Sequence, residues 1–239
     1  MPAVRLDGKV ALVTGGVRRV GRAIATELAR AGALVVAHAS LSSPEEAASL
    51  EREFPTLRVL RADLREPAAS VNLIDEVRAL HGRLDALVNS AASYPRGPFL
   101  EQGDDVWRDV LALNLEAPAR LVRLGLPLGL AAVVNLVDVA AWQPWKNHAA
   151  YSAAKAGLAH LTRCLALELA PSVRVNGVAP GTVAWPPDLD EQKRASILSR
   201  IPLARVGAPE DVARAVRFLL EEDYLTGVIL PVDGGSALR

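Results

Sequence analysis

Tyr151 and Lys155 stand four residues apart in the stretch DVAAWQPWKNHAAYSAAK, one helical turn apart on a single face. A phenol with an ammonium beside it is a proton donor with a cation at hand. Asp138 opens the same stretch, thirteen positions before Tyr151. A carboxyl in such company can relay a proton, particularly where burial raises its pKa. The ionised form repels an oxygen that gathers negative charge, so the trio suits protonation of a nitrogen better than support of an oxyanion. The alternative is that Asp138 caps a local turn and points away from any site.

A second constellation lies near the start. TGGVRRVGRAIA follows the apolar run KVALVT and opens a helical pattern. Backbone N–H groups at such a turn, with the helix dipole behind them, make an anion site suited to a dinucleotide pyrophosphate. Gly15 permits the tight turn, and Gly21 lets helix and strand approach closely. Arg18, Arg19 and Val20 lie between these glycines. Arg19 costs nothing in helix propensity. It either sets a guanidinium beside the pyrophosphate and the substrate mouth or is solvated at a helix start.

The second apolar run ends VVAHASLSS, with His38, Ser40 and Ser42 and no acid until Glu45. It offers no carboxylate for the ribose diol that an NAD enzyme would hold. With Arg18 placed to meet a 2′-phosphate, NADPH/NADP+ is expected over NADH. His38 either touches that cofactor or packs at the end of its strand.

These residues need a scaffold, and the pattern supplies one. Strands are predicted at 9–14, 33–38, 57–62, 84–89, 131–137, 173–178 and 228–232, several of them apolar throughout as in parallel strands covered on both faces. Helical patterns alternate with them; in the first, Val20, Ile24, Leu28 and Ala31 share a face, and Gly32 follows as a C-cap. Strand and helix in repeated alternation imply right-handed βαβ units and a doubly wound α/β sheet of about seven strands, helices on both faces, in one domain over 1–239. The Pro- and Trp-rich stretch within 183–199 interrupts this rhythm and reads as a substrate loop or lid.

Basic and acidic residues balance at 27 each, so no broad field favours nucleic acid or an anionic membrane. Cys164 is the only cysteine and is expected to be a packed thiol. No apolar run reaches membrane-spanning length, and no metal site is expected, so the expectation is a cytoplasmic protein.

T-G-x-x-x-R-x-G at Thr14–Gly21, with Tyr-x-x-x-Lys at Tyr151–Lys155, resembles the short-chain dehydrogenases/reductases. That resemblance implies a Rossmann-type fold and a homotetramer. It implies that Tyr151 protonates the group receiving hydride, and that Lys155 binds the nicotinamide ribose and lowers the Tyr151 pKa toward neutrality. Asn114 would hold a water of the proton relay. Asp63, in RADL with Leu64, would meet adenine, and Asn89, Ser90 and Ala91 would line the cofactor. Pro180, Gly181 and Thr182 would meet the nicotinamide amide.

Asp138 and Arg19 depart from the commoner family pattern of Ser and Gly, and closely resemble the pteridine reductases instead. Tyr94, in VNSAASYPRGPF, stands where that subfamily has an aromatic ring stacking on the pterin, so Arg19, Tyr94, Asp138 and Tyr151 are the expected substrate contacts. The resemblance implies NADPH-dependent reduction of dihydropterins to tetrahydropterins, with dihydrofolate a further candidate. The alternatives are an NADP(H)-dependent carbonyl or alcohol reductase, and a cofactor-binding protein without catalysis. Trp142, Trp145 and Trp185 are pocket walls or oligomer contacts, and His148 lines the pocket mouth.

Overall fold

Apolar segments of four to seven residues form seven strands: β1 (Val10–Val13), β2 (Leu34–Ala39), β3 (Leu57–Arg61), β4 (Ala86–Asn89), β5 (Ala132–Leu136), β6 (Arg174–Pro180) and β7 (Ile229–Val232). The structure is a computed structural model that describes residues 4–185 and 190–238. All strands are parallel in one sheet, ordered β3-β2-β1-β4-β5-β6-β7. The helices are α1 (Arg19–Arg30), α2 (Pro44–Glu53), α3 (Pro67–His81), α4 (Asp104–Leu111), α5 (Ala117–Gly125), α6 (Ala149–Leu169), α7 (Glu191–Leu198) and α8 (Pro209–Glu221). The expected single Rossmann-type domain is what the chain adopts.

The sheet separates two cores, because successive side chains on a strand point to opposite faces. Val10 and Leu12 pack with Ile74 and Val77 of α3 and Leu121 of α5. Ala11 and Val13 pack with Ile24 and Leu28 of α1 and Val216 and Leu219 of α8. Central strands therefore carry no solvated face, which explains why their sequences do not alternate.

Strand order reverses at β1, whose Val13 pairs with Ala37 of β2 on one side and Val88 of β4 on the other. The chain leaves these two neighbouring strands in opposite directions, which opens a crevice at their carboxyl ends. Thr14 and Gly15 leave β1 into that crevice; Asn89 ends β4 beside it.

Part of the expected loop at 183–199 is a helix. Asp190 caps α7, its carboxylate accepting from the Lys193 N–H at 2.8 Å. Residues 186–189 of that segment lie outside the described residues. Cys164 is half-buried on α6 and not fully packed as expected. Among the described residues no helix is long and apolar enough to cross a membrane, and no cluster of side chains is built to hold a metal ion.

Candidate active site

The turn after β1 is fixed by backbone approach and by two side chains. Gly15 has φ +65°, and a Cβ there would sit 3.1 Å from the Ala91 Cα. A Cβ on Gly21 would meet the Gly15 carbonyl oxygen at 2.0 Å, so only glycine lets α1 seat this close to the turn. Thr14 Oγ1 accepts the Ser90 and Ala91 N–H groups at 2.9 and 3.0 Å, joining the turn to the end of β4. Thr14 carries the first letter of the turn motif, which was the sequence signal for this contact.

Arg19 departs from the sequence expectation. Its φ is +50°, in the left-handed region. An L-residue pays there what glycine does not, roughly 1–2 kcal/mol. The relevant cost is therefore backbone strain, which a helix-propensity argument does not see. Its guanidinium is exposed and has no hydrogen bond or ion pair among the described residues. Arg18 is exposed beside the turn, and its fork holds both carboxylate oxygens of Glu46 at 2.5–2.9 Å. Val20 follows in the first turn of α1, half-buried against the core.

A cleft of about 210 Å³ opens beside this turn. Gly15, Arg18, Ser40, Asp63, Leu64 and Ala91 line it, so the sequence-predicted adenosine-side residues meet in one place. His38 borders it too, but its ring is only 1% exposed and both nitrogens are engaged, with Gly15 N–H and the Ala62 carbonyl. Asp63 accepts the Arg65 N–H and guanidinium, both at 3.1 Å. Arg65 also lines the cleft, and sequence reasoning passed it over.

At the reacting end, α6 carries Tyr151 and Lys155, and Asp138 begins the single helical turn Val139–Ala141 just past β5. Tyr151 donates its O–H to Asp138 Oδ2 at 2.8 Å, while Asp138 Oδ1 accepts the Ala140 N–H at 2.8 Å. The capping role and the approach to Tyr151, posed as alternatives, are thus both filled, one by each oxygen. Lys155 Nζ donates to the Leu136 carbonyl at 2.7 Å and lies 5.6 Å from the centre of the Tyr151 ring.

Burial pushes the Asp138 carboxyl up, against the opposing pull of the Ala140 N–H, the Tyr151 O–H and Lys155. Burial brings Lys155 down to about 8, with Asp138 holding it from falling further. The Tyr151 phenol is pushed up, first by burial and then by Asp138, and not lowered toward neutrality as the family resemblance implied. Burial is the larger reason, and the carboxylate that replaces a neutral hydroxyl adds to it. Tyr151 is held protonated, with a carboxyl of raised pKa hydrogen-bonded behind it.

Asn114 sits in a π-helical turn, Ala112–Glu116, an irregularity frequent at functional sites. Its amide N–H₂ donates to the Ser93 and Val110 carbonyls, both at 3.0 Å, and its own carbonyl oxygen is buried without a protein partner among the described residues. Asn89 donates to Asn135 Oδ1 at 2.8 Å, and Asn135 to Thr162 Oγ1 at 2.9 Å. That buried chain ties β4 and β5 to α6 and so fixes the helix that carries Tyr151. Pro180 ends β6, and Gly181 packs so closely that a Cβ would lie 2.8 Å from the Asp233 Cβ. The Thr182 carbonyl accepts the Gly207 N–H at 3.0 Å.

Four aromatic rings gather beside Asp138. Tyr94 stacks on His148 with centroids 4.5 Å apart and 15° between planes, and meets Tyr151 edge-on at 4.8 Å. Trp145 meets the Tyr94 and His148 rings at 6.3 and 6.1 Å. Tyr94 remains 52% exposed, so the stack leaves it open to a further ring. Trp145 thus belongs to this cluster, whereas Trp185 lies under the Arg194 guanidinium at 5.5 Å and Trp142 is exposed.

A nicotinamide dinucleotide fits these residues: the glycine turn leaves space a Cβ would fill, the cleft beside it is lined by Ser40 and Asp63, and Lys155 and Asn114 hold polar atoms at the far end. When bound, its reduced ring supplies a hydride. Comparisons with known proteins agree. A family model described as enoyl-(acyl carrier protein) reductase matches residues 16–237. The 3-oxoacyl-(acyl-carrier-protein) reductase of Escherichia coli is 33% identical, over 97% of this chain and 98% of its own. That of Thermotoga maritima is 34% identical over 98% and 100%, and dehydrogenase/reductase SDR family member 4 of Pongo abelii is 34% identical over 98% and 89%. With the glycine turn at a strand reversal and the Tyr151–Lys155 pair on α6, these matches place the chain in the short-chain dehydrogenase/reductase family, as an NAD(P)-dependent oxidoreductase.

Proposed function

We propose that this oxidoreductase uses NADPH to reduce a C=N bond in a flat, pterin-like ring, taking a dihydropterin to its tetrahydro form. The observation that carries this reading is the Asp138–Tyr151 hydrogen bond at 2.8 Å, with the carboxyl held above its usual range by burial. Hydride addition to a ring carbon leaves the adjoining nitrogen in need of a proton. Tyr151 gives its proton to that nitrogen and takes one from the Asp138 carboxyl, which is left as a carboxylate near Lys155. The half-open Tyr94 ring offers a stacking face that would hold such a heterocycle in line for the transfer. Arg19, strained and unpaired, adds a cation at the mouth. Exposed Leu167 on α6 and Phe218 on α8 support self-association, a homotetramer in this reading.

The names of the relatives favour a second reading, reduction of a ketone such as a 3-oxoacyl group. There a protonated Asp138 would donate to the carbonyl oxygen, as a neutral carboxylic acid can in an apolar site. Oxidation of NADPH with dihydrobiopterin, dihydrofolate, an acetoacetyl thioester and small ketones in parallel separates the two. Turnover on pterins alone is expected; turnover on the keto substrates alone would overturn the pterin reading.

A further inference from the structure

His38 is the last residue but one of β2, two residues before Ser40, yet its ring nitrogens are turned to backbone groups. The Gly15 N–H donates to Nδ1 at 3.2 Å, and Nε2 lies 3.0 Å from the Ala62 carbonyl. A backbone amide can only donate and a carbonyl only accept, so one tautomer satisfies both contacts: neutral imidazole with its proton on Nε2. The His38 carbonyl also accepts the Gly16 N–H at 2.9 Å. One residue therefore holds two successive amides of the phosphate-binding turn and, through Ala62, the segment leading to Asp63. The pyrophosphate side and the adenosine side of the cleft meet at this ring.

We propose that His38 is a positioning residue for the dinucleotide: its neutral Nε2–H form pins the Gly15 amide, and protonation releases the turn and weakens cofactor binding. Protonated, Nδ1 would carry a hydrogen aimed at the Gly15 N–H, two donors facing each other in a buried place. Burial already lowers the His38 pKa. The charged groups around the ring are Asp63, which favours the imidazolium, with Arg18 and Arg65 lining the same cleft. These two cations are held by Glu46 and by Asp63 with Asp109. A positioning role and a direct charge role differ in sign. An imidazolium acting by charge on the cofactor phosphates would tighten binding as pH falls, whereas a released turn loosens it.

The test is NADPH affinity by fluorescence titration of the full chain between about pH 8 and about pH 5, the range that spans imidazole titration. His38→Asn keeps an acceptor near the Nδ1 position and cannot titrate, so its profile records the ionisation of the cofactor's own phosphate. Wild type should lose about tenfold more affinity than His38→Asn as pH falls. His38→Leu should bind about tenfold more weakly than His38→Asn at every pH, the loss of one buried hydrogen bond. Parallel profiles for wild type and His38→Asn, or tighter wild-type binding at low pH, would overturn the proposal. If His38→Leu fails to fold, ¹⁵N spectra of the His38 ring decide the same point: a proton on Nε2 is expected, and one on Nδ1 would refute it. The readout is cofactor binding alone, so its outcome is independent of whether the substrate is a pterin or a ketone.

Discussion

Two aspartates at opposite ends of the central strands show how one residue type becomes structural or chemical. Asp85 stands just before β4, at the amino ends of the strands, away from the crevice. It accepts the Val10 N–H at 2.9 Å, the Arg83 guanidinium and the Lys9 ammonium. Burial raises its pKa, but Arg83, the Val10 amide and Lys9 outweigh that and hold the carboxyl below its ordinary value. Asp138 stands just past β5, at the crevice. Its direct partners are an amide and a phenol, both neutral, and Lys155 spends its own hydrogen bond on Leu136. There burial wins, and the carboxyl is raised. A buried acid with cations in contact is fixed as an anion and acts as a brace. The same acid among neutral donors keeps a proton within reach, the condition for acid–base work.

Substitution should separate the two roles. The largest effect expected is on turnover: Asp138→Ala should lower pterin-dependent NADPH oxidation about 100-fold, in the range of a lost proton-transfer group, with NADPH affinity nearly intact. Unchanged turnover would remove Asp138 from the relay and erase the contrast. Asp85→Ala should do the reverse. It strands the buried Val10 N–H and should cost about 1–3 kcal/mol of stability in a denaturant titration, with activity per folded molecule preserved. A loss of kcat without a loss of stability would mean that the brace reaches the site.

The smallest effect is a shift in pH. The Lys155 cation is lost as pH rises through about 8, so activity should decline above that point. Asp138 holds the Lys155 pKa up, so Asp138→Asn should move this alkaline limb to lower pH. The check is the residual kcat/KM of the variant against pH; an unmoved limb would uncouple the two groups.

Much of the architecture was legible along the chain. Each run of apolar residues expected to form a strand does so, with most ends displaced by one or two residues, inward at most and outward at the carboxyl ends of β2 and β6, since pattern marks an element better than its boundary. The glycine turn was legible because a close approach leaves only one residue type possible. The partial helix at α7 was missed, as Ile197 and Leu198 at its end are its only large apolar residues and make no apolar stripe that marks a helix. The lock on His38 left no trace, since a strand-end histidine looks the same whether its ring faces a cofactor or a backbone amide. The Arg18–Glu46 ion pair was not legible, because Glu46 lies 28 residues on in another helix.

The sequence by itself determined the strand–helix rhythm, the anion-binding turn and the Tyr151–Lys155 pair, since each is written in periodicity or in spacing within one element. Tertiary structure alone decided that Asp138 reaches Tyr151 with one oxygen and caps its own turn with the other. It also decided that Arg19 takes a left-handed conformation and that the His38 ring turns inward to Gly15. Those facts depend on the distance and angle between elements packed from different parts of the chain. Hydrogen-bond partners and desolvation, which set the pKa values, come into being only when that packing is complete.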